Sequence, residues 1–169
     1  MSRSLRAGLA LASLLCSLPG SVALAATPEE LIRPLQEQWA EIKYHQPDKQ
    51  QAEAYRGLAV QARKIAESNP KTPEVLIWEG IVLSSEAGAK GGLGALSLVK
   101  EARQLLDEAL KLNDKALSGS AYTSLATLYA KVPGWPVGFG DKERAEEYFK
   151  KALAINPDGI DPNFFYGEY

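Results

Sequence analysis

The sequence predicts an all-α fold, a stack of about three antiparallel helix pairs with long loops inside the pairs. Helix-start chemistry recurs along the chain, and the apolar residues between the starts follow the helical period rather than alternating. One pattern of small and large apolar residues also returns after 44 and then 43 positions.

Met1 to Ala25 is expected to be cut off rather than folded. Arg3 and Arg6 make a basic start, Ala7 to Leu18 is an apolar run too short to span a bilayer, and Ala23-Leu24-Ala25 offers the small residues a signal peptidase needs. The predicted product is exported to the periplasm. Cys16, the only cysteine, lies behind Leu14 and Leu15, where a lipoprotein signal requires a small residue, so the expected product is soluble. Residues 26–169 then hold no cysteine, which removes disulfides, thiolate ligands and a cysteine nucleophile. Losing the two arginines takes the formal charge from −2 to −4. That acidity, with no concentrated basic cluster, argues against a nucleic-acid or anionic-membrane partner. No later segment is apolar enough to span a membrane.

Thr27-Pro28-Glu29-Glu30 opens the first helix: Thr27 is the N-cap, Pro28 suits the first helical position and Glu30 can close a capping box. Leu31, Leu35, Trp39 and Ile42 form its apolar stripe. The second helix carries Ala52, Tyr55, Ala59, Ala62 and Ala66. Thr72-Pro73-Glu74 starts a third, from Pro73 to about Ala87. Further helices fit Leu96 to Leu112, Ser118 to Lys131 and Lys142 to Ile155. Asp161-Pro162 repeats the cap-then-proline device and opens an incomplete last helix.

The second helix of each pair carries the repeated pattern. The third pair reads Ala145-x3-Phe149-x2-Ala152-x4-Pro157; the second has Ala102, Leu106, Ala109 and Asp114, and the first Leu58, Ala62, Ile65 and Pro70. The first helix of the third pair adds Tyr122-x2-Leu125-Ala126-x2-Tyr129, of which the second pair keeps Leu76, Gly80 and Leu83. Small residues at Gly80, Ala102, Ala126 and Ala145 let two helices approach closely, while Leu106, Tyr129 and Phe149 fill the gap to the next pair.

These spacings resemble tetratricopeptide repeat proteins over Thr27 to Pro157, most closely in the third pair. The expected repeats are 27–70, 71–114 and 115–157, followed by an aromatic stub at 158–169. The stretch VPGWPVGFGDKERAEEYFKKALAINPDGIDPNFFYGEY is also similar to the T-component proteins associated with TRAP solute transporters. The resemblance implies a right-handed superhelical array and a helical adaptor that docks a partner or handles a hydrophobic ligand, and it carries over no catalytic residues. The departure lies inside the pairs, where the turns lengthen to Gly88–Gly94 and Val132–Asp141, against a usual repeat of ~34 residues.

The loop Val132–Asp141 is the most unusual segment, with two prolines, several glycines, Trp135 and Phe139. Its aromatics either fold back as local core or anchor a partner. Trp78, Tyr122 and Tyr129, on first helices, are the candidates for lining the concave face. The stub aromatics Phe164, Phe165, Tyr166 and Tyr169 either seal the third pair or join a second molecule.

Conventional chemistry finds little footing. Gly88–Gly94 with Lys90 lacks Gly-Lys-Ser/Thr and follows a helix, so it reads as a turn rather than a phosphate cradle. The sole histidine, His45, can supply neither a triad nor, without cysteines, a zinc site. Glu29-Glu30 and Glu146-Glu147 are helix neighbours that point to different sides. The expectation is a non-enzyme without cofactor: a scaffold for a protein or peptide partner, or alternatively a carrier of a small hydrophobic ligand.

Overall fold

A computed structural model describes residues 26–169. The expected signal segment and Cys16 lie outside the described residues. Seven α-helices follow one another: α1 (Pro28–His45), α2 (Asp48–Ser68), α3 (Pro73–Lys90), α4 (Leu96–Leu112), α5 (Ser120–Lys131), α6 (Lys142–Ile155) and α7 (Ile160–Glu168), with 3-10 turns at Leu93–Ala95 and Ala116–Gly119. The described residues contain no strand, and none of their helices is long and apolar enough to cross a membrane.

The capping box at α1 forms as its residues dictate: Thr27 N–H donates to Glu30 Oε2 at 2.9 Å, and Glu30 N–H donates to Thr27 Oγ1 at 3.3 Å. Thr72 is the N-cap of α3, but its side chain accepts no capping bond. Helix α7 departs from expectation. It starts at Ile160 with Gly159 as N-cap, so Asp161 lies inside the first turn and Pro162 is buried there.

Consecutive helices pack on one another, and the odd-numbered helices also touch in series, α1 on α3, α3 on α5 and α5 on α7. Helix α3 lies in the middle, against α2 and α4, with Val75, Leu76, Ile77, Val82 and Leu83 buried. A helix covered on most sides has no need of a polar face, which is why its sequence is apolar nearly all round. The repeated positions of the second helices are the core positions: Leu58 and Ala62 in α2, Ala102, Leu106 and Ala109 in α4, and Ala145, Phe149 and Ala152 in α6 are all buried. Gly80 shows why the first helices need a small residue. A Cβ there would stand 2.9 Å from Leu106 Cγ, closer than two carbons can sit.

Two boundaries move for tertiary reasons. Helix α3 runs on to Lys90, shortening the expected glycine turn to Gly91 and Gly92, both at positive φ (63° and 64°). Helix α5 starts at Ser120 rather than Ser118, because Leu117, Ser118 and Gly119 adopt left-handed φ of 47°, 54° and 80°. Gly119 there lies under Ile155 of α6, whose Cδ1 would be 3.2 Å from an added Cβ.

Two carboxylates of α3, Glu79 and Glu86, are buried in this core, and one of them is ion-paired. Glu79 of α3 is only 3% exposed; Arg63 of α2 reaches it at 3.5 Å and also pairs with Glu101 of α4. Burial raises the Glu79 pKa, against the pull of Arg63. The folded state therefore holds this proton more tightly than the unfolded chain does. This group's contribution to stability accordingly increases as pH falls from neutral through the raised pKa, and it levels off near the unfolded carboxylate value of about 4.3. Thermal melts of the wild type and Glu79→Gln across that window are expected to show a shallower pH dependence in the variant.

Candidate functional site

The most distinctive chemistry gathers where α4, α5, α6 and the loop Val132–Asp141 meet. Phe139 turns inward and packs edge-on against Tyr129 of α5, with ring centres 5.4 Å apart. Tyr148 of α6 packs against Tyr129 and Tyr122, each at 5.7 Å. Three of the five expected binding aromatics, Tyr122, Tyr129 and Phe139, thus belong to one cluster. Tyr129 is buried while Tyr122 and Phe139 are half-buried, so their first role is packing.

Cations cap this cluster. The Arg103 guanidinium of α4 lies 4.4 Å from the centre of the Phe139 ring. The Arg144 guanidinium of α6 lies 5.2 Å from the Tyr129 ring and donates to the Tyr129 hydroxyl at 3.0 Å. Lys151 sits over Tyr122 and Tyr148, but Glu147 pairs with it at 2.6 Å. Arg103 and Arg144 have no carboxylate partner in contact among the described residues. The Arg103 Nε is buried and without an acceptor; such an orphan costs about 1–3 kcal/mol, and stacking on an aromatic face contributes ~0.5–2 kcal/mol against it. Nearby Asp107 of α4 has its pKa raised by burial, opposed by Arg103, Arg144 and Lys111.

The loop beside the cluster is pinned at its base. Gly140 N–H donates to Pro133 O and Asp141 N–H to Tyr129 O, both at 2.9 Å, while Gly138 N–H donates to Gly134 O at 3.1 Å. The chain crosses itself so closely that a Cβ on Gly138 would stand 2.4 Å from Pro133 O, and one on Gly140 would stand 1.8 Å from Val132 O. Asp141 accepts from Arg144 N–H at 3.1 Å and so caps α6. The Trp135–Pro136 peptide is cis. From this base Trp135 projects outward, 90% exposed, with Val137 also exposed. The two loop aromatics therefore part: Phe139 is local core, and Trp135 is surface.

Trp78 lies in a separate cluster. It packs edge-on against Trp39 of α1, centres 6.3 Å apart, and Trp39 Nε1 donates to Ser85 Oγ of α3 at 2.8 Å. This seam between α1 and α3 makes Trp78 a packing residue, half-buried against the core. The stub divides its aromatics between packing and exposure. Tyr166 and Tyr169 of the last turn pack on Phe149, centres 5.3 and 5.7 Å away, and the Tyr169 hydroxyl donates to Lys142 O at 2.7 Å. Phe165 also packs on the core, whereas Ile160 and Phe164 face outward.

Two small clefts open between the helices. One of about 220 Å³ lies between α1 and α2, lined by Gln38, Ile42, Gly57 and Gln61; the other, about 210 Å³, is lined by Lys131, Phe149, Phe165 and Tyr169. No group of three or more His, Cys, Asp or Glu side chains stands together to hold a metal ion among the described residues. His45 ends α1 at the surface, and Glu146 and Glu147 pair with Lys150 and Lys151 one turn on, as solvated ion pairs.

Sequence reading missed Arg103, Asp107, Arg144 and Tyr148. They lie just after the repeated small and large positions on α4 and just before them on α6, and only the packing of both helices on α5 brings those flanks together. No protein family, curated protein or solved structure matches this chain.

Proposed function

We propose that this chain is an exported, non-catalytic helical-repeat scaffold of tetratricopeptide type that docks a protein partner in the periplasm. The observation that carries the reading is Trp135, almost wholly exposed on a loop held by its own hydrogen bonds. A large exposed aromatic on a fixed base binds with little loss of conformational freedom, and tryptophan is enriched among the residues that dominate interface energies. The likeness of Val132–Tyr169 to TRAP-associated T-component proteins supports an accessory role beside a transporter. The carrier alternative needs an enclosing apolar cavity, commonly about 300–1,000 Å³; the clefts of about 220 and 210 Å³ fall short of that.

A photo-cross-linking side chain at Val137, used in the native periplasm, is expected to trap one partner protein. Trp135→Ala is expected to weaken that complex by about 2 kcal/mol, roughly thirtyfold, the usual scale for losing an interface anchor. Its melting temperature is expected to stay unchanged, since the ring packs on little. Equal cross-linking with and without the indole would sink the docking reading, and a small hydrophobic molecule retained in native mass spectrometry would favour the carrier.

A further inference from the structure

We propose that Arg103 and Arg144 form a carboxylate-recognising patch that receives an acidic segment of the docked protein, an inference that takes its partner from the docking reading above. Three observations converge on it. Both guanidiniums rest on aromatic rings, Arg103 on Phe139 at 4.4 Å and Arg144 on Tyr129 at 5.2 Å, so their planes are held in place before any ligand arrives. The two rings touch, at 5.4 Å between centres, which joins the two sites into one surface.

Neither arginine is within ion-pair distance of a carboxylate among the described residues, although the chain as a whole is acidic and its other close charge contacts are satisfied pairs, such as Glu146 with Lys150 and Glu147 with Lys151. The Nε of Arg103 is buried and has no acceptor, so an external carboxylate would meet the terminal nitrogens of its guanidinium. Asp107 is the one carboxylate that acts on both arginines, while Asp141 and Glu147 act on Arg144 alone and Glu147 is already paired with Lys151. Planar guanidiniums match a carboxylate in a two-pronged geometry, which favours Glu or Asp side chains as the ligand chemistry. Trp135 shares its loop with Phe139, the ring on which Arg103 rests, so an apolar anchor and an acidic stretch on the same partner segment can be read together.

The test uses residues 26–169 and a fluorescein-labelled hexaglutamate peptide, followed by fluorescence polarisation at low salt, with hexalysine and inorganic pyrophosphate as the other probes. Hexaglutamate is expected to bind, with affinity falling steeply as salt is added. Arg103→Gln and Arg144→Gln are each expected to weaken it at least tenfold, whereas Lys64→Gln, which removes the same charge from the outer face of α2, is expected to leave it unaltered. Because an arginine variant can lose affinity by misfolding, Asp107→Asn supplies the opposite sign: removing the competing carboxylate is expected to tighten binding severalfold. Absence of hexaglutamate binding, equal loss in Lys64→Gln, or no gain in Asp107→Asn overturns the proposal, and so does tighter binding of pyrophosphate at the same arginines. None of these readouts uses the native partner, so loss of the Val137 cross-link without loss of hexaglutamate binding overturns the docking reading alone.

Discussion

Phe149→Ala is expected to lower the free energy of unfolding by about 3–5 kcal/mol, the range for deleting a fully buried aromatic ring. Phe149 is 1% exposed and occupies the repeated large position of α6, and its ring also stacks on Tyr166 and Tyr169 of the C-terminal segment. Two losses coincide: a cavity opens where α5 and α6 meet, and α7 loses the surface it rests on. Urea denaturation measures the first. Amide hydrogen exchange measures the second, with protection in Ile160–Glu168 expected to fall further than in α3, whose contacts the substitution leaves untouched. Unchanged exchange in α7 would show that the stub is held by Phe165 and the Tyr169–Lys142 hydrogen bond instead.

Gly140→Ala is expected to have the second largest effect, and its damage is local. The added methyl would stand 1.8 Å from Val132 O and 2.9 Å from Pro133 C, both backbone atoms that cannot swing aside as a side-chain end can. The loop has to open at its base, breaking the bonds from Gly140 N–H to Pro133 O and from Asp141 N–H to Tyr129 O. Phe139 then leaves Tyr129, Arg103 loses the ring it lies on, and Trp135 loses its fixed bearing. The expected result is a stability loss of about 1–3 kcal/mol or more, as in other overpacked sites, together with loss of the Val137 cross-link. Gly88→Ala is the matching control. Gly88 lies within α3 and a Cβ there meets open space, so the better helix former is expected to add up to about 1 kcal/mol.

Much of the fold is local in origin and was therefore legible. The ends of α4 and α6, at Leu96–Leu112 and Lys142–Ile155, coincide with the sequence reading, because apolar periodicity and polar turn residues act within a few residues of themselves. The start of α5 was not legible: nothing in Leu117-Ser118 announces left-handed backbone, and the close approach to Gly119 comes from Ile155, more than thirty positions later. The candidate aromatics show the same limit. Trp135 and Phe139 share a loop and a residue class, yet one is exposed and the other packs beneath a guanidinium. Trp78 and Tyr129, chosen as lining, are bound up in seams between helices.

By itself, then, the sequence determined the all-helical class and the small and large core positions of the second helices, since period, caps and small-to-large alternation are written in short stretches of chain. Only the tertiary structure decided that Glu79 is buried against Arg63, which also pairs with Glu101, that Arg103 and Arg144 flank one pair of rings, and that Trp135 faces solvent. The first two of those outcomes depend on the flanks of the repeated positions, whose surroundings are set by how far neighbouring helices approach and rotate against one another. That approach is fixed by packing summed over the whole stack, which no single stretch of sequence contains.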